Sequence, residues 1–297
     1  MTSIGWIGLG AMGGPMAQCV AAAGHAVTAY DVSLDRARSL AGGGLTAVDS
    51  IGATAKGADV LVLMVATPDQ VEAVLFGADG AAAQLETGAV VIVMATVGPG
   101  PVEGWARRLG ELGVGLVDAP VSGGVARAAK GDLLVMVSGS VEDLAVSRPI
   151  IDAMASTAPV VGPDPGDGQK VKVVNQLLCG VHIAAAGEAL ALADSMGLDV
   201  EATWEALKSG AAGSFMFSDR GGRMVTGAFD DVRSALDIFV KDMGIVTATA
   251  KSVAQPTPLA ATAEQLYLTG RRKGLGRKDD SVVYDILRGR PSRPSAG

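Results

Sequence analysis

Over the first 160 residues, short runs that are apolar almost throughout alternate with Ala-rich segments of helical period. The runs are Ile4–Gly8, Ala26–Tyr30, Leu45–Val48, Val60–Val65, Val90–Met94, Val114–Val117 and Leu133–Val137; Met16–Ala23 and Val102–Leu112 are typical of what lies between. Strands without polar alternation must be covered on both faces, and intervening helices supply the cover. The pattern therefore predicts an α/β fold, a doubly wound parallel sheet of Rossmann type. The character changes at Val161-Gly-Pro-Asp-Pro-Gly-Asp-Gly168, a turn-forming punctuation followed by long helical patterns without convincing strands. The first of these, about Gln169 to Met196, is apolar on most faces, with Gly197 placed to cap its C-terminus. The expectation is an α/β domain over 1–162 and an all-helical domain over 163–297, joined by that long helix.

Composition narrows the partners. The formal net charge of −7 disfavours nucleic acid and membrane surfaces, which are themselves anionic. No uninterrupted apolar run approaches the ~20 residues of a membrane span. Met1 leads almost directly into a strand pattern without a basic leader, so a cytoplasmic protein is expected. The two cysteines, Cys19 and Cys179, and the two histidines, His25 and His182, show no metal-ligand spacing, and no metal is expected. The tail beyond Arg288 is expected to be mobile.

Gly8-Leu9-Gly10-Ala11-Met12-Gly13 follows the first strand and opens the first helix. Gly8 permits a tight turn, Gly10 lets the backbone approach a pyrophosphate, and Gly13 allows close packing of helix on strand. The second strand ends in Asp31, 18 residues after Gly13. A carboxylate there accepts hydrogen bonds from an adenosine ribose and repels a 2′-phosphate. This reading favours NAD over NADP, with Arg36 and Arg38 as the residues that could serve a 2′-phosphate instead.

The acid/base group is narrowed by what is missing. Tyr30, Tyr267 and Tyr284 are followed four residues later by Leu34, Arg271 and Arg288, so no Tyr-x-x-x-Lys pair exists. Zinc-dependent oxidation lacks ligands, and both histidines sit in structural contexts. Lysine remains, provided burial and a cationic neighbour lower its pKa. Lys172 stands in the first turns of the long apolar helix, and Asn175 and Gln176 follow on the same face at i+3 and i+4. An amide there can hold a substrate hydroxyl or carbonyl while the lysine moves the proton. Lys170 lies on another face and suits the surface. The turn Ser122-Gly123-Gly124, following Val114–Val117 and Asp118, offers a hydroxyl and backbone N–H groups to an anionic head group.

Together these segments resemble the β-hydroxyacid dehydrogenases, the family of 3-hydroxyisobutyrate dehydrogenase and tartronate semialdehyde reductase. The resemblance runs from Ile4 to about Leu287 through four ordered motifs: residues 8–17, residues 118–125, Gly166-Asp-Gly168-Gln-Lys-Val-Lys172-Val-Val-Asn175-Gln176, and the pair Phe239-Val-Lys241-Asp242-Met243 with Lys278-Asp279-Asp280-Ser281. It implies that Lys172 and Asn175 are catalytic, and that Ser122, Gly123, Gly124, Asn175 and Gln176 bind substrate. It places Lys241, Thr96 and Val65 at the cofactor with Asp31 and the Gly8–Gly13 turn. Two departures stand out. Met94-Ala95 precedes Thr96 where the family commonly has Ser-Ser, and Asp280 replaces a common aromatic. Residues 175–186, 212–220 and 235–242 resemble the L-threonate dehydrogenase branch, which oxidises four-carbon sugar acids with NAD.

A small carboxylate-bearing hydroxy acid is the implied partner, with reduction of a small semialdehyde as the alternative. A non-catalytic dinucleotide sensor on the same fold is the remote reading. The wide apolar surface of the long helix predicts a homodimer or homotetramer.

Overall fold

The structure, a computed structural model, describes residues 2–288. The tail beyond Arg288 lies outside the described residues. The chain forms two compact units, Met1–Lys172 and Val173–Gly297. They divide inside the long helix, which runs unbroken over Asp167–Ser195, ten residues past the boundary expected at 162.

In the first unit the strands are β1 (Ile4–Ile7), β2 (Val27–Tyr30), β3 (Leu45–Ala47), β4 (Val60–Leu63), β5 (Val90–Val93), β6 (Gly115–Asp118), β7 (Val121–Ser122), β8 (Leu133–Val135), β9 (Val137–Ser138), β10 (Ala155–Thr157) and β11 (Val160–Gly162). The main sheet has the order β11-β9-β6-β5-β4-β1-β2-β3. Its registers align Ile4 with Val27 and Val60, and Val60 with Val90, so the central strands finish level with one another. The order reverses between β1 and β4, which makes the carboxyl ends of those strands the place where an open α/β sheet receives a ligand. The uniformly apolar strands have their physical reason in the two cores. Val60, Val62 and Ile92 pack on one face with Met16 and Val20. Leu61, Leu63 and Val91 pack on the other with Trp105 and Leu109.

The sheet is not purely parallel, as the alternation predicts, because β6 and β9 pair antiparallel through Asp118 and Ser138. The run Leu133–Val137 is not one strand either. Met136 breaks it, so that β8 joins a small sheet of order β10-β8-β7 while β9 joins the main one. The short β7, β10 and β11 carry no apolar run long enough to be seen in sequence.

Every regular element among the described residues of the second unit is a helix, and the connecting segments hold one isolated bridge, Ala235 with Asp279. Behind Ser195 the chain closes the long helix in a Schellman arrangement. Leu198 N–H donates to the Ala193 carbonyl, Gly197 N–H donates to that of Asp194, and Gly197 takes φ +75°. By length and composition Asp167–Ser195 is the one helix among the described residues that could cross a membrane, despite the absence of an uninterrupted apolar run. Within its unit, however, Ile183, Ala186 and Leu190 are buried against Phe239, Met243 and Tyr267. The packing is close: a Cβ on Gly180 would stand 2.2 Å from Met243 Sδ. Tyr267 stacks on Phe239 and donates its hydroxyl hydrogen to the Gly180 carbonyl at 2.7 Å. These contacts belong to the core of a helical unit.

Candidate active site

The glycine turn is built as its spacing requires. Gly8 adopts φ +99°, and a Cβ there would meet the Met64 carbonyl oxygen at 2.4 Å; one on Gly13 would meet the Gly8 carbonyl oxygen at 2.0 Å. A Cβ on Gly10 would meet nothing within 4 Å, so this glycine leaves the approach open. The helix that follows, Gly13–Ala22, has no side-chain cap and no acidic residue in its first turn. Its N–H groups and positive dipole end suit a pyrophosphate. Leu9 is buried, Met12 half-buried, and Ala11 exposed beside Gly10. Val65 follows β4 and lies against Gly8.

Asp31 stands at the end of β2 and braces the turn. Its Oδ2 accepts from Leu9 N–H at 2.7 Å and its Oδ1 from Ser33 N–H at 2.8 Å. Each oxygen keeps a lone pair for a ribose hydroxyl. Arg36 folds back, donating through Nε to the Leu9 carbonyl at 3.0 Å, and Arg38 pairs with Asp35 on the surface.

Ser122 ends β7, opposite Leu134. Gly123 and Gly124 follow at φ +147° and +73°, conformations that L side chains rarely adopt. A Cβ on Gly123 would also press on Leu133 Cδ2 at 2.9 Å.

Among the described residues of this unit, the most deeply buried ionisable group heads the motif at 118–125. Asp118 ends β6 fully buried, and its Oδ2 accepts from Gln169 N–H at 2.7 Å and Gly166 N–H at 3.2 Å. Its Oδ1 accepts from Gln169 Nε2 at 2.8 Å. Ser138 Oγ takes Gly168 N–H at 2.9 Å. The ends of two strands thus cap the first turn of the long helix, whose N–H groups have no partner within the helix. Burial pushes the Asp118 carboxyl up to about 6, against the pull of its N–H donors. Gln169 works in both directions. Its Oε1 accepts from Val97 N–H at 2.9 Å and Gly98 N–H at 3.0 Å, while Nε2 also donates to the Ala95 carbonyl at 3.0 Å. The loop carrying Thr96 is therefore bound to the start of the helix carrying Lys172. Gln169 stands three residues before Lys172 inside the Gly166–Gln176 motif, and the sequence assigns it no role there.

Lys172 is 5% exposed, whereas Lys170 lies at the surface bridging Asp167 at 2.9 Å and Glu103 at 3.5 Å. Asn175 is half-buried and Gln176 buried, one turn further along. Asn175 Nδ2 donates to Gln176 Oε1 at 2.8 Å, and Gln176 Nε2 donates to Asp242 Oδ2. Lys241 lies on the helix Leu236–Ser252, 3.0 Å from Asp242 Oδ1. Among the described residues no cluster of His, Cys, Asp and Glu is suited to a metal.

The departure at Asp280 also has a structural counterpart. Arg220 meets its fully buried carboxylate with Nε and Nη2, both at 3.0 Å. Neighbouring Asp279 accepts from Arg223 at 2.9 Å and from the Arg233 N–H at 3.0 Å.

Comparison with known proteins agrees with both halves. Residues 3–162 match the family model for the NAD binding domain of 6-phosphogluconate dehydrogenase. Residues 166–287 match the one described as NAD-binding of NADP-dependent 3-hydroxyisobutyrate dehydrogenase. The L-threonate dehydrogenase of Cupriavidus necator is 42% identical over 97% of this chain and 96% of its own. The 2-hydroxy-3-oxopropionate reductase of Escherichia coli K12 is 33% identical, covering 96% of each. A crystal structure of 3-hydroxyisobutyrate dehydrogenase from Salmonella typhimurium superposes with a TM-score of 0.90 at 38% identity, over 96% of this chain and all of that one. With a glycine turn fit for a dinucleotide, a helical second unit and relatives matched from end to end, this chain belongs to the β-hydroxyacid dehydrogenase family and is an NAD-dependent oxidoreductase acting on hydroxy acids.

Proposed function

We propose that the substrate is a four-carbon sugar acid, L-threonate first, oxidised with Lys172 as the acid/base group. The observation that carries the substrate is the 42% identity to an L-threonate dehydrogenase across nearly the whole of both chains. NAD, when bound, supplies the hydride acceptor. The chain's own part is to hold and deprotonate the alcohol. In the forward direction the hydroxyl proton passes to Lys172 Nζ as the carbon yields its hydride. Burial of the lysine supports this role, because a side chain 5% exposed is held apart from bulk water. Asn175 addresses a substrate oxygen, and Ser122 with Gly123 and Gly124 receives the carboxylate. Gly8–Gly13, Asp31, Val65, Thr96 and Lys241 serve the dinucleotide, and Asp31 favours NAD over NADP. Reduction of a small semialdehyde by the same residues is the second reading, favoured by the 2-hydroxy-3-oxopropionate reductase at 33% identity. The active form is proposed to be at least a homodimer, in the cytoplasm.

Initial rates with L-threonate, D-erythronate, 3-hydroxyisobutyrate and glycerate, each with NAD and with NADP, separate these readings. L-Threonate with NAD should give the highest kcat/KM. Lys172→Ala should lower kcat about 10²–10⁴-fold with NAD affinity unchanged. Retention of more than about a tenth of the wild-type rate would remove Lys172 from the chemistry.

A further inference from the structure

Asn175, Gln176 and Asp242 form a hydrogen-bonded chain whose polarity is dictated by its last member. Asp242 is 2% exposed. One of its oxygens takes the Gln176 amide and the other faces the Lys241 ammonium at 3.0 Å. A carboxylate so placed only accepts. Gln176, itself buried, must therefore turn its NH₂ toward Asp242 and its Oε1 the other way. That Oε1 accepts from Asn175 Nδ2 at 2.8 Å, and the same nitrogen lies 3.5 Å from Cys179 Sγ. An amide nitrogen has two hydrogens, and these two contacts use both. The group that Asn175 offers elsewhere is its carbonyl oxygen, Oδ1.

We propose that Asp242 is a positioning residue for substrate selection: acting through Gln176, it holds Asn175 with Oδ1 outward, so that the site favours a hydroxyl over a carbonyl oxygen at that place. The proposal rests on the reading of Asn175 as a substrate contact. An outward Oδ1 gains a hydrogen bond from an alcohol but faces a carbonyl as acceptor against acceptor. A buried mismatch of this kind is worth about tenfold or more in affinity.

The test uses the full-length enzyme in two dead-end complexes, in which the cofactor's oxidation state blocks interconversion of the 2-hydroxy and 2-oxo acids. Glycerate is titrated into enzyme with NADH, and its oxo counterpart hydroxypyruvate into enzyme with NAD. Asp242→Asn is isosteric and lets residue 242 donate or accept, which frees Gln176 and Asn175 to turn over. The preference for glycerate should fall about tenfold relative to wild type, and KM for L-threonate should rise by more than kcat falls. An unchanged preference overturns the proposal. Gln176→Leu should lose the same preference, and serves if Asp242→Asn does not fold.

A second arm reverses the chain. Asn175→Asp sets a carboxylate against Gln176 Oε1 and should lose kcat/KM heavily. Combined with Asp242→Asn, every donor regains an acceptor, with Gln176 turned end for end. The double variant should recover at least about tenfold over Asn175→Asp alone; a double variant no better than the single one overturns the relay.

Side-chain amide ¹⁵N–¹H spectra supply a readout that needs no turnover. The Gln176 amide proton facing Asp242 should be downfield and slow to exchange in wild type, and lost in Asp242→Asn. That signal without turnover on any hydroxy acid would leave the relay standing and overturn the functional reading. Its absence from the wild type would overturn the relay.

Discussion

A carboxyl group buried as deeply as that of Asp118 makes stability depend on pH, and the sign follows from its environment. Burial raises its pKa to about 6 in the folded chain, whereas the unfolded chain titrates near the ordinary aspartate value. Above pH 6 both states are ionised and the cost of the buried charge is carried in full. As the pH falls through 6 the folded state binds a proton that the unfolded state does not. The contribution of this group to stability therefore rises toward acid and levels off near pH 4. Asp118→Asn should cost about 1–3 kcal/mol at pH 7, because in either orientation its NH₂ meets an N–H of Gln169 or Gly166. Gln169 cannot turn to relieve this, since its oxygen already holds Val97 and Gly98. Urea unfolding of both chains should show the wild type gaining about 1 kcal/mol on the variant between pH 7 and pH 5. A gap that narrows toward pH 5 would contradict the raised pKa. Asp118 and Gln169 each lie inside a motif of the sequence, but nothing local marks them as partners. Their importance lies in contacts across 51 residues, and a buried carboxylate looks like any other Asp until its surroundings are known. The glycine turn at Gly8, Gly10 and Gly13 and the buried face of Lys172 are legible because their signals are local, in spacing and helical register.

At the scale of elements, legibility follows length and environment. The central strands are continuous apolar runs because each side of the sheet has its own core, and both ends of the long helix carry turn chemistry. Ala155–Thr157 is too short and too exposed to leave a hydrophobic imprint, and nothing local shows that Leu133–Val137 divides between two sheets. The Arg220–Asp280 pair is an element-level feature of the same kind. It ties the helix Phe215–Thr226 to the turn Asp280–Val282. Restoring an aromatic with Asp280→Phe should cost about 1.5–3 kcal/mol, because Arg220 keeps Asp219 at 2.7 Å but its Nε and Nη2 lose their buried acceptor. Arg220→Leu with Asp280→Phe should recover most of that loss. Thermal unfolding of the two variants decides the matter. A double variant as unstable as the single one would mean that packing, not charge, is lost.

For the whole molecule, the association expected from the long helix takes a narrower form. Ile183 and Leu190 are buried, and Val173, Leu177 and Val181 pack on the helical core. Val171, Val174 and Leu178 remain exposed at spacings of three and four, a single stripe along the helix. A second copy is the partner proposed for that stripe. Light scattering at low micromolar concentration should give a mass of at least twice 29.7 kDa, and Val174→Glu with Leu178→Glu should lower it. An active species at the single-chain mass would end the homodimer proposal. The clamp at Gln169 has a practical bearing on recombining such enzymes. The visible seam is the Gly/Pro turn at 161–168, yet Gln169 fastens to Asp118 and to the Ala95–Gly98 loop, all upstream of it. A crossover at the seam would graft a foreign amide into a native socket. One placed after Lys172 keeps lock and key from the same parent, and leaves the unbroken helix as the splice.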